Sequence, residues 1–296
     1  MTKSSHTPES VFAEAPDLSP SEFREISRMA YEYAGLDLGD NKTELVMARL
    51  GKKLRQLQLP TFSAYCRHVK EDPTGEALIG MIDALTTNHT SFLREQAHFD
   101  FLARQILPHL AGSTHVTIWS AACSSGEEPY SIAFTALDAM GADGPRKLRI
   151  IATDISTKAL DTAARAVYPM DRMRGVSQQW LSRYLLRGTG RWDGHCQVKK
   201  PVREMVEFRR QNLMENFAHL GPFHVIFCRN VMIYFDRETQ QDLVRRLAAR
   251  LHPGGYLFTG HSESLNGLDQ PLHYVQPATY RKPATEGGAP AHRTKL

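Results

Sequence analysis

Three acids placed around two apolar runs carry the first chemical signal in this sequence. The run VTIW (Val116–Trp119) stops at the small residues Ala121 to Gly126, and Glu127 and Glu128 follow at once. A second run, LRIIAT from Leu148, ends in Asp154. In an open α/β sheet, an acid closing the second strand accepts hydrogen bonds from ribose hydroxyls, while the first strand-to-helix turn meets the rest of the ligand. Plainer roles stay open for all three: Glu127 and Glu128 as first-turn acids on a helix dipole, Asp154 as the N-cap of the next helix.

The turn lacks the G-x-G-x-x-G of a dinucleotide site, and its two acids would repel a pyrophosphate. They suit a ligand with a positive centre, such as the methionyl part of S-adenosylmethionine. Two further stretches add chemistry. LTTNHTSFLRE (Leu85–Glu95) crowds Thr86, Thr87, Asn88, Thr90 and Ser91 ahead of Phe92 and Arg94. It reads either as a capped linker or as a segment that closes over a ligand, with Arg94 orienting a carboxylate. In FHVIFCRNVMIYFD, from Phe223, an apolar strand ends at Cys228, with Arg229, Asn230 and Tyr234 just beyond it. Enzymes that methylate amino groups of bases or glutamine often carry an Asn/Asp-Pro-Pro-aromatic element here, and its absence argues against nitrogen methylation. The thirteen histidines have no zinc-like spacing, so no metal is expected. The four cysteines are scattered without a Cys-x-x-Cys pair and are expected to be reduced thiols.

These residues need a scaffold, and the pattern around them predicts one. Ser19 to Glu22 has capping-box spacing with proline at the first helical position, and Phe23, Ile26, Ala30 and Tyr33 follow at helical intervals. Further helical patterns run through about Asn41–Leu57, Thr61–Lys70 and Gly75–Leu85. We therefore expect a disordered tail over 1–18, a small all-helical domain over 19–85, and a linker with a connecting helix over 86–114. From 115 to 282 strands and helices alternate, which predicts an α/β domain with a doubly wound, mostly parallel sheet. The alternation breaks at about 168–205, an expected inserted β-subdomain in which Asp193-Gly194 signals a hairpin. HPGG (His252–Gly255) is expected to be a turn before the strand YLFTG, a final strand to lie around Tyr274–Arg281, and 283–296 to form a second disordered tail. A net charge of +4 over 296 residues is too small to imply nucleic acid as a partner. No run approaches the ~18 apolar residues of a membrane span, so a cytoplasmic protein is expected.

In their order and spacing, LTTNHTSFLRE, WSAACSSGEEPYSIA, ATDIS, FHVIFCRNVMIYFD and LHPGGYLFTGHSESL resemble the chemotaxis receptor methyltransferase family, CheR, over about Leu18 to Lys282. The resemblance implies a Rossmann-like S-adenosylmethionine-dependent methyltransferase fold. It implies transfer of methyl from S-adenosylmethionine to glutamate side chains of methyl-accepting chemotaxis receptors, leaving S-adenosylhomocysteine. By motif position it implies cofactor contacts from Asn88, Thr90, Arg94, Glu128, Asp154, Asn212, Leu213, Arg229 and Asn230, with Arg94 and Tyr234 nearest the methyl group as catalytic residues. It also implies an inserted β-subdomain of the kind that in some members docks a receptor C-terminal peptide, and RGTG (Arg187–Gly190) falls in the matching place. Within this reading Arg49, Lys52, Lys53 and Arg55 form a basic face that attracts an acidic receptor helix, although a solvated surface explains such a run equally well. The alternatives are a methyltransferase of RNA or small molecules on the same fold, and a non-catalytic module that binds the cofactor and a partner.

Overall fold

The computed structural model describes residues 17–87, 89–141 and 144–284. The chain divides into two compact units, one made of the residues up to Glu32 with Asp37–Thr87, the other of Tyr33–Leu36 with the residues from Asn88 onward. Both expected tails lie largely outside the described residues.

The first unit is built on helices α1 (Pro20–Ala34, whose last two residues belong to the second unit), α2 (Thr43–Leu57), α3 (Phe62–Glu71) and α4 (Glu76–Leu85). The capping box forms as its spacing predicts: the Ser19 amide donates to Glu22 Oε2 at 2.9 Å, and the Glu22 amide donates to Ser19 Oγ at 3.3 Å. Thr61 caps α3 by accepting from the Ala64 amide. One face of each helix is apolar and buried: Phe23 and Ile26, Val46 and Leu50, Phe62 and Tyr65, Ile79 and Ile82.

The second unit opens with the short helix α5 (Ala97–Phe101) and then alternates: β1 (Val116–Ala121), α6 (Glu127–Met140), α7 (Gly144–Lys147), β2 (Leu148–Asp154) and α8 (Thr157–Arg165). An insertion follows, comprising β3 (Val167–Pro169), α9 (Gln178–Tyr184), β4 (Leu185–Arg187), β5 (His195–Val198) and α10 (Lys200–Arg203). The alternation resumes with β6 (Val206–Arg210), β7 (Phe223–Cys228), α11 (Arg237–Ala249) and β8 (Leu251–Phe258), and closes on β9 (His273–Gln276) and β10 (Thr279–Arg281). The main sheet runs β6-β2-β1-β7-β8-β10-β9. Its first five strands are parallel, while β10 is antiparallel to both β8 and β9. Helices cover both faces, so β1 and β7 are almost continuously buried. Chain order reverses across β1, with β2 on one side and β7 on the other, and the carboxyl ends of these three strands form the crevice where such sheets bind ligands.

Three local differences from the sequence pattern have physical reasons. The antiparallel insertion β3-β5-β4 is present, but β4 and β5 are joined by a loop containing a 3₁₀ turn at Gly190–Trp192, with Gly194 at φ 74°, rather than by a two-residue hairpin. HPGG bulges out of β8: Leu251 pairs with Phe223 and Tyr256 with Val225, so the extra residues leave the ladder. The last strand is two, because Ala278 turns the chain at φ 56°.

No helix among the described residues is long and apolar enough to cross a membrane. All four cysteines are free and buried.

Candidate active site

The turn from β1 into α6 is wound tightly against the end of β2. Ala122, Ser124 and Gly126 all have positive φ, at 61°, 48° and 95°. Only glycine fits the last position: a Cβ there would lie 2.8 Å from both the Ala163 Cβ and the Tyr168 hydroxyl. The Cys123 amide donates to the Thr153 carbonyl at 2.9 Å. Asp154 then bridges the two strand ends, its Oδ2 accepting from the Ser124 amide at 2.7 Å and its Oδ1 from the Ser156 amide at 2.9 Å. The N-cap of α8 is Ser156, whose hydroxyl accepts from the Ala159 amide, so the plainer role for Asp154 is filled by another residue.

Glu127 and Glu128 are neighbours with opposite fates. Glu127 is fully buried, and its carboxylate accepts from Arg172 of the insertion at 2.7 Å and from the Ser125 hydroxyl at 2.6 Å. It ties the insertion to α6. Glu128 faces the rim, accepting from the Ser120 hydroxyl at 2.7 Å and from Arg229 at 3.0 Å. Burial pushes its carboxyl above the usual range, against the lowering pull of Arg229 and Ser120.

Arg229 is the hub. Its side chain is 2% exposed and contacts two carboxylates, Glu128 at 3.0 Å and Glu95 at 2.9 Å, as well as the Arg94 carbonyl at 2.5 Å. The guanidinium also lies 5.7 Å from the centre of the Phe99 ring. Glu95 further accepts from the Asn230 side-chain amide at 3.2 Å and from the His261 amide at 3.3 Å. Burial would raise the Glu95 carboxyl, but the charge and hydrogen bonds of Arg229 outweigh it and hold the carboxyl below its usual value. Asn230 sits at φ 58°, and its amide donates to Glu263 Oε2 at 2.7 Å. Glu263 also accepts from the amides of Gly260 and Ile233, so one carboxylate fastens the loop after β7 to the loop after β8. Leu93 and Glu95, at φ 55° and 59°, add to the strained backbone that collects around this rim.

The remaining expected site residues are spread more widely. Arg94 and Thr90 are half-buried, and the Arg94 guanidinium donates to the His89 carbonyl at 2.9 Å. Tyr234 is half-buried in the turn Met232–Tyr234 beyond β7. Asn212 shapes the loop after β6, donating to the Tyr33 carbonyl at 2.5 Å and accepting from the Met214 amide at 2.9 Å. Leu213 is buried, and its carbonyl accepts from Arg246 at 2.8 Å. Asn88 lies outside the described residues.

Sequence reasoning missed Glu95, Glu263 and Ser120. Glu95 closes a motif already singled out, and an acid within one residue of Arg94 was its only signal. The donor set fits S-adenosylmethionine better than a phosphate ligand. Among the described residues Arg229 is the one deeply buried cation and is balanced by two carboxylates, and a further acid closes β2, the position that accepts ribose hydroxyls in open α/β sheets.

Comparison with known proteins agrees over nearly the whole described chain. Residues 88–281 match the family model for the CheR methyltransferase SAM-binding domain, and residues 21–86 match that for the CheR methyltransferase all-alpha domain. Chemotaxis protein methyltransferase 2 of Pseudomonas aeruginosa is 42% identical over 244 residues, covering 82% of this chain and 86% of that protein. The chemotaxis protein methyltransferases of Salmonella typhimurium and Escherichia coli are 42% and 40% identical, covering 85% and 86% of this chain and 86% and 87% of theirs.

Proposed function

The chain belongs to the CheR methyltransferase family, and from that premise we propose how it acts. It is an S-adenosylmethionine-dependent protein-glutamate O-methyltransferase, and its substrates are methyl-accepting chemotaxis receptors. The observation that carries this reading is that the likeness runs through both parts of the chain, over residues 21–86 and 88–281.

A glutamate side chain has a pKa near ~4.3, so it is already an anion at neutral pH and needs no general base. Such a reaction therefore requires no catalytic His-Asp or Cys-His pair. S-adenosylmethionine supplies an electrophilic methyl on a sulfonium. What the protein must do is align the incoming carboxylate and hold the donor. In this reading Asp154 takes the ribose hydroxyls, Glu128 meets the positive methionyl end, and Asn88, Thr90, Asn212, Leu213, Arg229 and Asn230 complete the cofactor contacts. Arg94 steers the substrate carboxylate and Tyr234 packs beside the methyl.

Replacing Arg94 with alanine is expected to lower kcat by about 10- to 100-fold while changing cofactor affinity less, because it removes alignment rather than the donor's own grip. Steady-state kinetics together with calorimetry separate the two effects. Equal losses in both would assign Arg94 to the cofactor alone.

Receptor contacts extend the proposal. Lys52 and Arg55 are exposed on α2 and would attract an acidic receptor helix. Charge reversal at both should raise the receptor KM and flatten its salt dependence, with kcat unchanged, in assays across a salt series. The receptor C-terminal peptide would dock on the inserted sheet, in a groove of about 340 Å³ whose lining includes Leu186, Arg187, Gly188 and Trp192. Leu186 and Trp192 are 52% and 47% exposed there, unusually open for such side chains.

The direct test uses receptor-bearing membranes and methyl-labelled cofactor. Label should enter the receptors and leave as methanol under alkali. Label stable to alkali would mean nitrogen methylation, and none at all would favour a binding module.

A further inference from the structure

Beside the rim, His98 is a buried orphan. It is 1% exposed, and among the described residues neither ring nitrogen has a hydrogen-bond partner. Burying an imidazole in that state is costly unless something else meets its lone pair. The ring is fixed by α5, which holds it 5.1 Å from the centre of the Phe258 ring. Its Nδ1 faces Glu95 Oε2 at 3.5 Å, too far for a good hydrogen bond. His261, which follows β8, brings its Nε2 to 3.9 Å from the same oxygen, and the two imidazoles stand 5.1 Å apart at 81°. One ligand atom from each of Glu95, His98 and His261 lies within 4.8 Å of the other two.

We propose that Glu95, His98 and His261 form a binding site for a divalent transition-metal ion of the zinc class. Ligands ~2.0–2.2 Å from a tetrahedral ion stand about 3.3–3.6 Å from one another. The two distances to Glu95 Oε2 are close to that, so small side-chain movements complete the set. Two imidazoles and one carboxylate select zinc, cobalt, nickel or copper over magnesium or calcium, which take oxygen ligands. Burial disfavours the charged form of His98 and keeps the imidazole neutral, the form that ligates. His261 is 53% exposed, which gives the ion an entry path and leaves room for water as a further ligand.

The site is coupled to the rim through one atom. Glu95 Oε2 is the oxygen that receives Arg229 at 2.9 Å, so a bound ion draws on the carboxylate that balances Arg229. Metal binding should therefore loosen the hub and slow methyl transfer.

The test titrates the metal-free full chain with Co²⁺ and follows visible absorption. One saturable equivalent with the strong bands of a four- or five-coordinate ion, displaced by Zn²⁺ and not by Mg²⁺, is expected. His261→Ala should weaken binding at least ~tenfold, since loss of even an outer-shell partner of a metal costs that much. His98→Phe should do the same. Because the His261 ring is half exposed, its variant should unfold at the wild-type temperature. Unsaturable binding, or equal affinity in wild type and both variants, would assign the ion to scattered surface histidines and overturn the proposal. The readout is spectroscopic, so it stands or falls independently of the methyltransferase reading.

Discussion

Replacing Arg229 with leucine should cost about 3–5 kcal/mol of stability, because it leaves Glu95 and Glu128 buried without their shared cation. On the usual scaling for a domain of this size, the unfolding midpoint of the second unit falls by roughly 10 °C. The loss should depend on pH in a definite sense. Burial already raises the Glu128 carboxyl in the folded protein, and Arg229 is the largest influence opposing that rise. Without Arg229 its folded pKa climbs further above the unfolded value. A group shifted that way contributes stability at low pH and loses it as pH rises through the folded pKa. The variant should therefore recover part of its deficit when the pH is lowered, and thermal melts across a pH series would show it. Arg229→Lys keeps the charge but cannot serve both carboxylates and the Arg94 carbonyl in one plane, so it should fall between the two. A variant as stable as wild type at every pH would mean that the two acids do not depend on this cation.

Asp154→Ala should weaken binding of S-adenosylhomocysteine by roughly 100- to 10,000-fold in calorimetry. Two hydrogen bonds from sugar hydroxyls to a carboxylate contribute about 1.5–3 kcal/mol each, and 1.4 kcal/mol is a factor of ten. The alanine also removes the acceptor for the Ser124 and Ser156 amides, so part of the effect would come from a loosened turn. Asp154→Asn separates these contributions. It keeps one carbonyl acceptor and the side-chain shape but loses the charge, and should bind about tenfold more weakly than wild type. An alanine variant with unchanged affinity would remove Asp154 from the cofactor site.

The parallel sheet was legible because each central strand is a mostly apolar run bounded at its carboxyl end by small or polar residues, and buried parallel strands demand such apolar runs. The same logic made Asp154, Arg229 and Asn230 visible, since a residue just past such a strand has to lie at the carboxyl edge. The partner of Arg229 was not legible. Glu95 lies 134 residues away, and only tertiary convergence brings the two together. His98 and His261 meet for the same reason, out of reach of any spacing rule. Glu127 and Glu128 could not be told apart either. Successive helical residues point about 100° apart, so one acid meets the insertion and the other the rim, and the sequence does not say which. Ala278 takes the left-handed position in the turn between β9 and β10, which carries no asparagine or glycine to announce it.

The central claim is that the donor's sugar rests on the acid closing β2. A crystal structure of the protein grown with S-adenosylhomocysteine tests it most directly. The ribose hydroxyls should lie within about 3.2 Å of the Asp154 carboxylate oxygens. Product bound elsewhere, or a sugar turned away from Asp154, would contradict the account.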